Sequence, residues 1–280
     1  MQVEKCCWKR PDSVELRGKL YIPDGGMAAL VIMVHGIGQH GGCYDEWGEM
    51  FAMQSVGFLT FDLRGHGNTT GVRGHASINA IKDDLRAIIN DMKMKFADTP
   101  IVLFGHSMGG QIALSLAFDK NVVLHGVIAS SPFLKLVRPP SPILVWAAKW
   151  ASFVMPCFTV RTGIKANQLS QDNTNQKSTK TDPLLHKKIS IRLFSDLLTN
   201  GDKIINANHH PEIPVLLMHG NADSLISFEA GKMFAKKHEH TVTFKEWHDM
   251  RHDLLNGSEK EDVFSYVMNW LSKLFVLLIL

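Results

Sequence analysis

A serine with glycines on both sides lies in the segment with the clearest capacity for chemistry, GHSMG at 105–109. The apolar run 100–104 precedes this segment and the helical run 111–118 follows it, so its G-x-S-x-G pattern falls where a strand turns into a helix. Such a turn holds its serine in a strained backbone conformation, and the glycines let the strand and the helix approach closely. The pattern predicts that Ser107 is a nucleophile.

Two further side chains supply what a serine nucleophile requires. A serine hydroxyl at neutral pH needs a histidine that accepts its proton and a carboxylate that orients the histidine. Asp223 follows the apolar run 214–218, and His252 follows the run 241–244. The order Ser, Asp, His along the chain is that of the α/β-hydrolases, so these two residues are the expected acid and base.

Backbone amides near the serine complete the expected chemistry. The tetrahedral intermediate of acyl transfer carries an oxyanion, which one N–H after the nucleophile and one N–H after an early strand stabilise. These rules select Met108 and Ile37, the latter in HGIGQH (35–40) directly after the apolar run 28–34. Because the base must be neutral, activity is expected to rise with pH through roughly 6 to 7, the range of an ordinary histidine.

Short apolar runs alternate with amphipathic segments along most of the chain and must position these residues. Such runs are typical of strands buried on both faces, and segment 78–92 has apolar residues at helical spacing behind a Ser77 cap. Segment 13–22 is typical of an antiparallel strand or hairpin. The pattern predicts an α/β fold with a mostly parallel sheet flanked by helices. The predicted parallel strands are 28–34, 57–61, 100–104, 122–128, 214–218 and 241–244.

The alternation stops between residues 133 and 198. This stretch contains an almost wholly apolar helix candidate, 143–155, and a polar tract, 168–181. We expect a helical lid insertion over 133–198 between two parts of one α/β-hydrolase core, 1–132 and 199–280.

The apolar helix candidate has two interpretations, a buried core helix or a lid helix with one side toward a membrane. The surrounding charge favours contact with an anionic membrane surface, because residues 120–171 include basic side chains and no acidic one. The same charge counts against an aminopeptidase, which needs acidic groups to hold a substrate ammonium. The basic residues are Lys120, Lys135, Arg138, Lys149, Arg161 and Lys165.

Composition excludes several other classes of function. The chain has 280 residues and a formal net charge of +3 without a long basic run, so no nucleic-acid binding is expected. The four cysteines include no CxxC pattern, which predicts neither disulfides nor a zinc site and favours a cytoplasmic location. Histidines at 209–210 and 238–240 lack the HExxH spacing of metal ligands and are expected on the surface. No cofactor is predicted.

Six motifs together resemble the monoacylglycerol lipase and lysophospholipase group of α/β-hydrolases, over about residues 13 to 274. They are HGIGQH (35–40), FDLRGHGNT (61–69), GHSMGG (105–110), SSPFLKL (130–136), DPLLHKKISIRLF (182–194) and MRHDLLNG (250–257). The resemblance implies the same five roles as the residues themselves, for Ser107, Asp223, His252, Ile37 and Met108.

The sequence departs from the group's pattern at two positions. Gln39 stands where the group commonly has Glu, and Asp249 stands where it has a glycine, three residues before the expected base. The change at Asp249 bears on the turn that aims His252. His248 is the alternative base, and the H-[DE]-L-x-N context of the group favours His252.

The resemblance implies hydrolysis of a single acyl ester from glycerol or from a lysophospholipid. The partner would be a small lipid ester, with peripheral membrane contact through the lid. A short-chain carboxylesterase and a non-catalytic ligand-binding protein of the same fold are the alternatives. The sequence leaves open the acyl-chain length, the head group, the oligomeric state and the role of the apolar tail 275–280.

Overall fold

An eight-stranded sheet organises the computed structural model, which describes residues 1–170 and 181–279, with side chains as far as residue 275. Most of the predicted polar tract and the end of the apolar tail therefore lie outside the described residues. The strands are β1 Gln2–Lys9, β2 Glu15–Ile22, β3 Ala29–Val34, β4 Val56–Phe61, β5 Ile101–His106, β6 Gly126–Ser130, β7 Thr159–Arg161, β8 Lys188–Ser190, β9 Val215–Gly220 and β10 Val242–Trp247. The helices are α1 Asp45–Met53, α2 Ile78–Lys95, α3 Met108–Ala117, α4 Pro142–Val154, α5 Ala166–Leu169, α6 Ile191–Ile205, α7 Phe228–Lys237 and α8 Lys260–Ile279.

The large sheet is parallel over most of its width. Its strand order is β1-β2-β4-β3-β5-β6-β9-β10, and the six strands from β4 to β10 are parallel to one another. One face packs on α2, α3, α6 and α7, and the other face packs on α1 and α8. Both faces are covered because the apolar runs that form these strands have no polar side to turn toward water. The predicted α/β-hydrolase fold is confirmed.

The edge of the sheet includes a strand that sequence analysis did not predict. β1 pairs with β2 antiparallel, and β2 pairs with β4 in the same sense. In β1 only alternate side chains, among them Cys6 and Trp8, are partly buried. A half-exposed edge strand of this kind lacks the continuous apolar run that marked the inner strands.

Strand β6 also differs from the expected 122–128, because it begins at Gly126. The preceding residues form a turn after α3, in which the N–H of Val122 donates to the carbonyl of Asp119. Their apolar character therefore reflects packing in a turn and not a longer strand.

Between β6 and β9 the chain forms α4, the β7–β8 pair, α5 and α6. Helix α6 packs in the same core cluster as α2 and α3, and the side-chain amide of Gln111 on α3 donates to the carbonyl of Leu197 on α6. Helix α4 is exposed along most of its length, with Ser152 as its one buried residue, so it is not a buried core helix. The division into 1–132, 133–198 and 199–280 stays a prediction.

A buried ion-pair cluster fixes the loop that follows β4. Arg64 in this loop and Arg10 beyond β1 both donate to the carboxylate of Asp84 on α2. The Asp84 side chain is 1% exposed, and the two guanidiniums are 18% and 13% exposed for Arg10 and Arg64. The cluster ties the N-terminal edge, the loop and α2 together.

We expect Asp84→Ala to lower the free energy of unfolding by about 3 kcal/mol, because two largely buried guanidiniums lose the buried carboxylate that they share, and Arg64 keeps only its contact with the exposed Asp12. Asp83→Ala is the matched control: this neighbour is 65% exposed and pairs with Arg86 on the surface, so it should cost less than about 1 kcal/mol. Urea denaturation of the two variants measures both values. Equal losses would contradict a structural role for the cluster.

Candidate active site

Ser107 occupies a sharp turn between β5 and α3. Its backbone has φ 54° and ψ −113°, outside the regions that side-chain-bearing residues normally adopt. A Cβ on Gly105 would lie 2.2 Å from the carbonyl oxygen of Gly109, and a Cβ on Gly109 would lie 1.9 Å from that of Val34. The glycines of the G-x-S-x-G pattern are therefore required by close backbone contacts.

The three side chains that the sequence selected lie together at the carboxyl edge of the sheet. Nε2 of His252 is 2.9 Å from Oγ of Ser107, and Nδ1 of His252 is 2.7 Å from Oδ2 of Asp223. Ser107 follows β5, Asp223 follows β9 and His252 follows β10, all parallel strands whose carboxyl ends meet at one edge. All three residues are buried.

His248, the alternative base, lies in a different environment from these three buried residues. Its side chain is 81% exposed, and its Nδ1 lies 2.9 Å from Oδ2 of Asp249. Asp249 has φ 55°, a left-handed conformation that favours glycine, which explains why the related group has glycine at this position. The turn that aims His252 thus keeps its shape with an aspartate, at the cost of local strain.

A second histidine contacts the carboxylate, and sequence analysis missed it. Nε2 of His219 is 2.9 Å from the same Oδ2 of Asp223 that bonds to His252, and the side chains of His219 and Asp223 are both fully buried. The N–H groups of Leu225 and Ile226 donate to Oδ1. The signal was the spacing in HGNAD, which puts His219 at the end of β9, four residues before Asp223.

The predicted oxyanion donors lie in two differently built segments. Met108 is the first residue of α3, so its N–H is at the positive end of the helix dipole. Ile37 lies in the loop after β3, and no acceptor among the described residues bonds to the N–H of Ile37 or Met108. Both amides are therefore free to bind a ligand oxygen.

Two side chains hold the loop that contains Ile37. His35 accepts a hydrogen bond from the N–H of Leu63 through Nε2 and donates to the carbonyl of Gly36 through Nδ1. Oε1 of Gln39 accepts from the N–H of Gly36 and from the hydroxyl of Tyr44. A glutamate could accept the same two hydrogen bonds, so Gln39 can replace it without a change of geometry.

Comparison with known proteins identifies the family. The family model described as "Serine aminopeptidase, S33" matches residues 25–259. The chain belongs to this hydrolase family. Within the family it belongs to the monoacylglycerol lipase group, as its curated relatives and a solved structure show.

A monoglyceride lipase of Rattus norvegicus is 31% identical over 207 residues, which are 72% of this chain and 68% of that protein. Phospholipase YtpA of Bacillus subtilis is 29% identical over 240 residues, 84% of this chain and 92% of that protein. An uncharacterized abhydrolase domain-containing protein of Dictyostelium discoideum is 30% identical over 268 residues, 94% of this chain but only 28% of that relative's length. The crystal structure of a monoacylglycerol lipase from Paleococcus ferrophilus has a TM-score of 0.83 at 25% identity and covers 98% of this chain and 100% of that one.

The cavity of this hydrolase opens above Ser107 and has a volume of about 670 Å³. Part of its wall comes from the loop after β3 that contains Ile37 and from the loops after β5 and β10. The rest comes from residues within 161–170 and 182–188, in the segment between β6 and β9. Two contacts join that segment to the loop after β3. The N–H of His186 donates to the carbonyl of Gly38, and Nε2 of His40 is 2.8 Å from Oδ2 of Asp182. The described lining residues include none from α4, so the apolar helix does not face the cavity.

The structure offers no place for a metal ion within residues 1–170 and 181–279, where no group of three or more His, Cys, Asp or Glu side chains is suitably arranged. His238 is buried, contrary to the expected surface position, and its Nδ1 lies 3.0 Å from Nδ1 of His210. Burial lowers the pKa of His238 to about 4, so the ring of His238 is neutral at pH 7.

Burial and charge act in opposite directions on the two central groups. Burial favours a neutral Asp223, but the positive charge of His252 and hydrogen bonds from His219 and His252 outweigh it, so the pKa of Asp223 lies far below its usual range. Burial alone would lower the pKa of His252, and the charge and hydrogen bond of Asp223 outweigh it, so that pKa lies above 6.5. By contrast, burial lowers the pKa of the adjacent His106 to about 4, and it stays neutral.

We expect kcat/KM for a soluble ester to rise with pH with a midpoint above 6.5, because His252 must lose its proton before it can accept one from Ser107. This midpoint is shifted upward from that of an ordinary histidine, on which the expectation from sequence was based. In Asp223→Asn the charge that raises the pKa of His252 most is lost, while burial and the smaller effect of Asp253 remain. The midpoint should therefore fall below that of the wild type, and kcat should drop by about 10⁴. A flat profile from pH 5 to 8 would argue against His252 as the base.

Proposed function

We propose that this chain is a serine esterase that hydrolyses the single acyl ester of a monoacylglycerol or lysophospholipid through an acyl-enzyme. One observation carries the proposal: the hydrogen-bond chain from Asp223 through His252 ends on the hydroxyl of Ser107 at the base of a large cavity. The names of the rat and Bacillus subtilis relatives support the class of substrate.

The geometry supports a stepwise acyl transfer. Oγ of Ser107 attacks the ester carbonyl carbon while Nε2 of His252 accepts the hydroxyl proton, and the carbonyl oxygen becomes an oxyanion bound by the N–H groups of Ile37 and Met108. His252 then gives the proton to the leaving alcohol as the ester C–O bond breaks. A water molecule attacks the acyl-enzyme in the same way, and Ser107 is released with the fatty acid. Asp223 keeps its charge and orients the imidazole throughout.

The cavity suits a single aliphatic chain with a small head group. Its volume lies within the range of about 300 to 1,000 Å³ that small-molecule sites occupy. Apolar side chains form part of its wall, and polar groups converge on Ser107. The apolar lining residues include Ile37, Ile164, Ala166, Leu169 and Leu185.

We also propose that α4 docks on an anionic lipid surface. Large apolar side chains on this helix are exposed, among them Trp146 at 64% and Phe153 at 69%. Lys135, Arg138 and Lys149 lie on or before the helix in a stretch without acidic residues. Aromatic anchors beside basic side chains are the features of interfacial helices. No helix in the described part of the chain is long and apolar enough to cross a bilayer.

Ser107→Ala should reduce kcat by about 10⁶-fold while leaving the fold intact, because the group that forms the acyl-enzyme is lost. A panel of glycerol monoesters and lysophospholipids with acyl chains of graded length measures the substrate class with the wild type. Activity that increases with chain length supports the proposal. A preference for acetate esters with flat activity on longer chains would identify a short-chain carboxylesterase instead.

Trp146→Ser/Phe153→Ser should weaken binding to vesicles of phosphatidylcholine with phosphatidylglycerol by about tenfold or more, since two exposed aromatic side chains that would insert into the lipid are lost. Met94→Ser/Met233→Ser is the matched control, because these side chains are equally exposed on α2 and α7. Co-sedimentation with the vesicles measures the partition. An equal effect of both double variants would rule out α4 as the docking surface.

A further inference from the structure

Three basic side chains line the same cavity as Ser107, namely Arg161, Lys187 and Lys188. None of them forms an ion pair with any residue that the structure describes. Arg161 and Lys188 are direct cross-strand partners in the antiparallel β7–β8 pair. Like charges opposite each other destabilise a strand pair, so an anion bound between Arg161 and Lys188 would relieve their repulsion.

The cavity lining also includes two carboxylates, Asp182 and Asp253, and neither forms an ion pair with the three cations. Asp182 is hydrogen-bonded to the ring of His40 and to the N–H of Leu184. Asp253 accepts from its neighbours in the loop after β10, Leu255 and Asn256. Within residues 1–170 and 181–279, the three cations therefore outnumber the carboxylates of the lining and have no direct ion-pair partner.

The geometry points to a phosphate-bearing head group as the natural occupant of this wall, so that the preferred substrate is an anionic lysophospholipid and not a neutral monoacylglycerol. This inference rests on the proposed function, because it takes Ser107 as the group that attacks the acyl ester. An arginine binds phosphate oxygens through two N–H groups, and lysines add charge without a fixed geometry. A neutral glycerol head group leaves the repulsion between Arg161 and Lys188 uncompensated.

These cavity-lining cations differ in position from Lys135, Arg138 and Lys149, the basic residues on or before α4. Arg161, Lys187 and Lys188 line the cavity that contains His252, whereas no residue of α4 does so in the described lining. The same positive wall disfavours a substrate with a free ammonium, as an aminopeptidase would require.

The test compares 1-octanoylglycerol with 1-octanoylglycerol 3-phosphate, both below their micelle concentrations so that no lipid surface is present. The wild type should show a kcat/KM for the phosphate ester that is about tenfold or more above its kcat/KM for the neutral ester. A tenfold change corresponds to about 1.4 kcal/mol, roughly what one charge-assisted contact supplies. In Arg161→Gln/Lys188→Gln the ratio of the two values should fall close to one.

Two controls separate the cavity wall from general charge effects. Lys232→Gln/Lys236→Gln removes the same charge from the exposed surface of α7 and should keep the wild-type ratio. Inorganic phosphate should raise KM for the phosphate ester in the wild type by competing at the wall, and should not do so in the Arg161 and Lys188 double variant.

The outcomes separate this inference from the proposed function. If both esters are hydrolysed and kcat/KM for the neutral ester is equal or greater, the inferred preference for a phosphate head group is wrong. The proposed esterase function is then still supported. A ratio that falls equally in both double variants also overturns the inference, because net charge would then explain the preference. Failure to hydrolyse either ester removes the proposed function and this inference with it.

Discussion

The backbone of Ser107, fixed at a positive φ directly after β5, is the constraint on which the arrangement of the site depends. A side-chain-bearing residue in this conformation costs about 1–3 kcal/mol, and the packing of β5 against α3 must supply it. The contacts of Gly105 and Gly109 show how closely the strand and helix approach. This approach puts the serine hydroxyl above the sheet and the first N–H of α3 beside it.

The other parts of the site reach Ser107 because parallel strands end at one edge. Loops after β3, β9 and β10 contribute Ile37, Asp223 and His252. Hydrogen bonds that His35 and Gln39 accept hold the loop after β3, and the contact of His219 with Asp223 holds the carboxylate. A carboxylate with several donors stays charged in a buried setting, and its charge in turn raises the pKa of His252. The charge of Asp223 thus outweighs burial and holds the pKa of the imidazole above its usual value.

Much of this arrangement could be predicted from sequence because it depends on local patterns. Continuous apolar runs indicated the inner strands, and the glycines around Ser107 indicated the turn. The edge strand β1 gave only a weak alternation, and the contact of His219 with Asp223 depends on how the loop after β9 folds back. The burial of His238 and the cationic wall formed by Arg161 and Lys188 depend on pairings between segments, which spacing along the chain does not reveal. The exposure of α4 likewise could be settled only by its packing, since a buried helix and an interfacial helix share the same composition.

The central claim is that Ser107 is the group that becomes acylated, with His252 as its base. Reaction with a fluorophosphonate followed by peptide mass spectrometry tests this claim most directly. The account predicts one adduct, on Ser107, formed at a rate that falls as the pH is lowered and His252 becomes protonated. An adduct on another residue, or no adduct on folded protein that still hydrolyses esters, would contradict it.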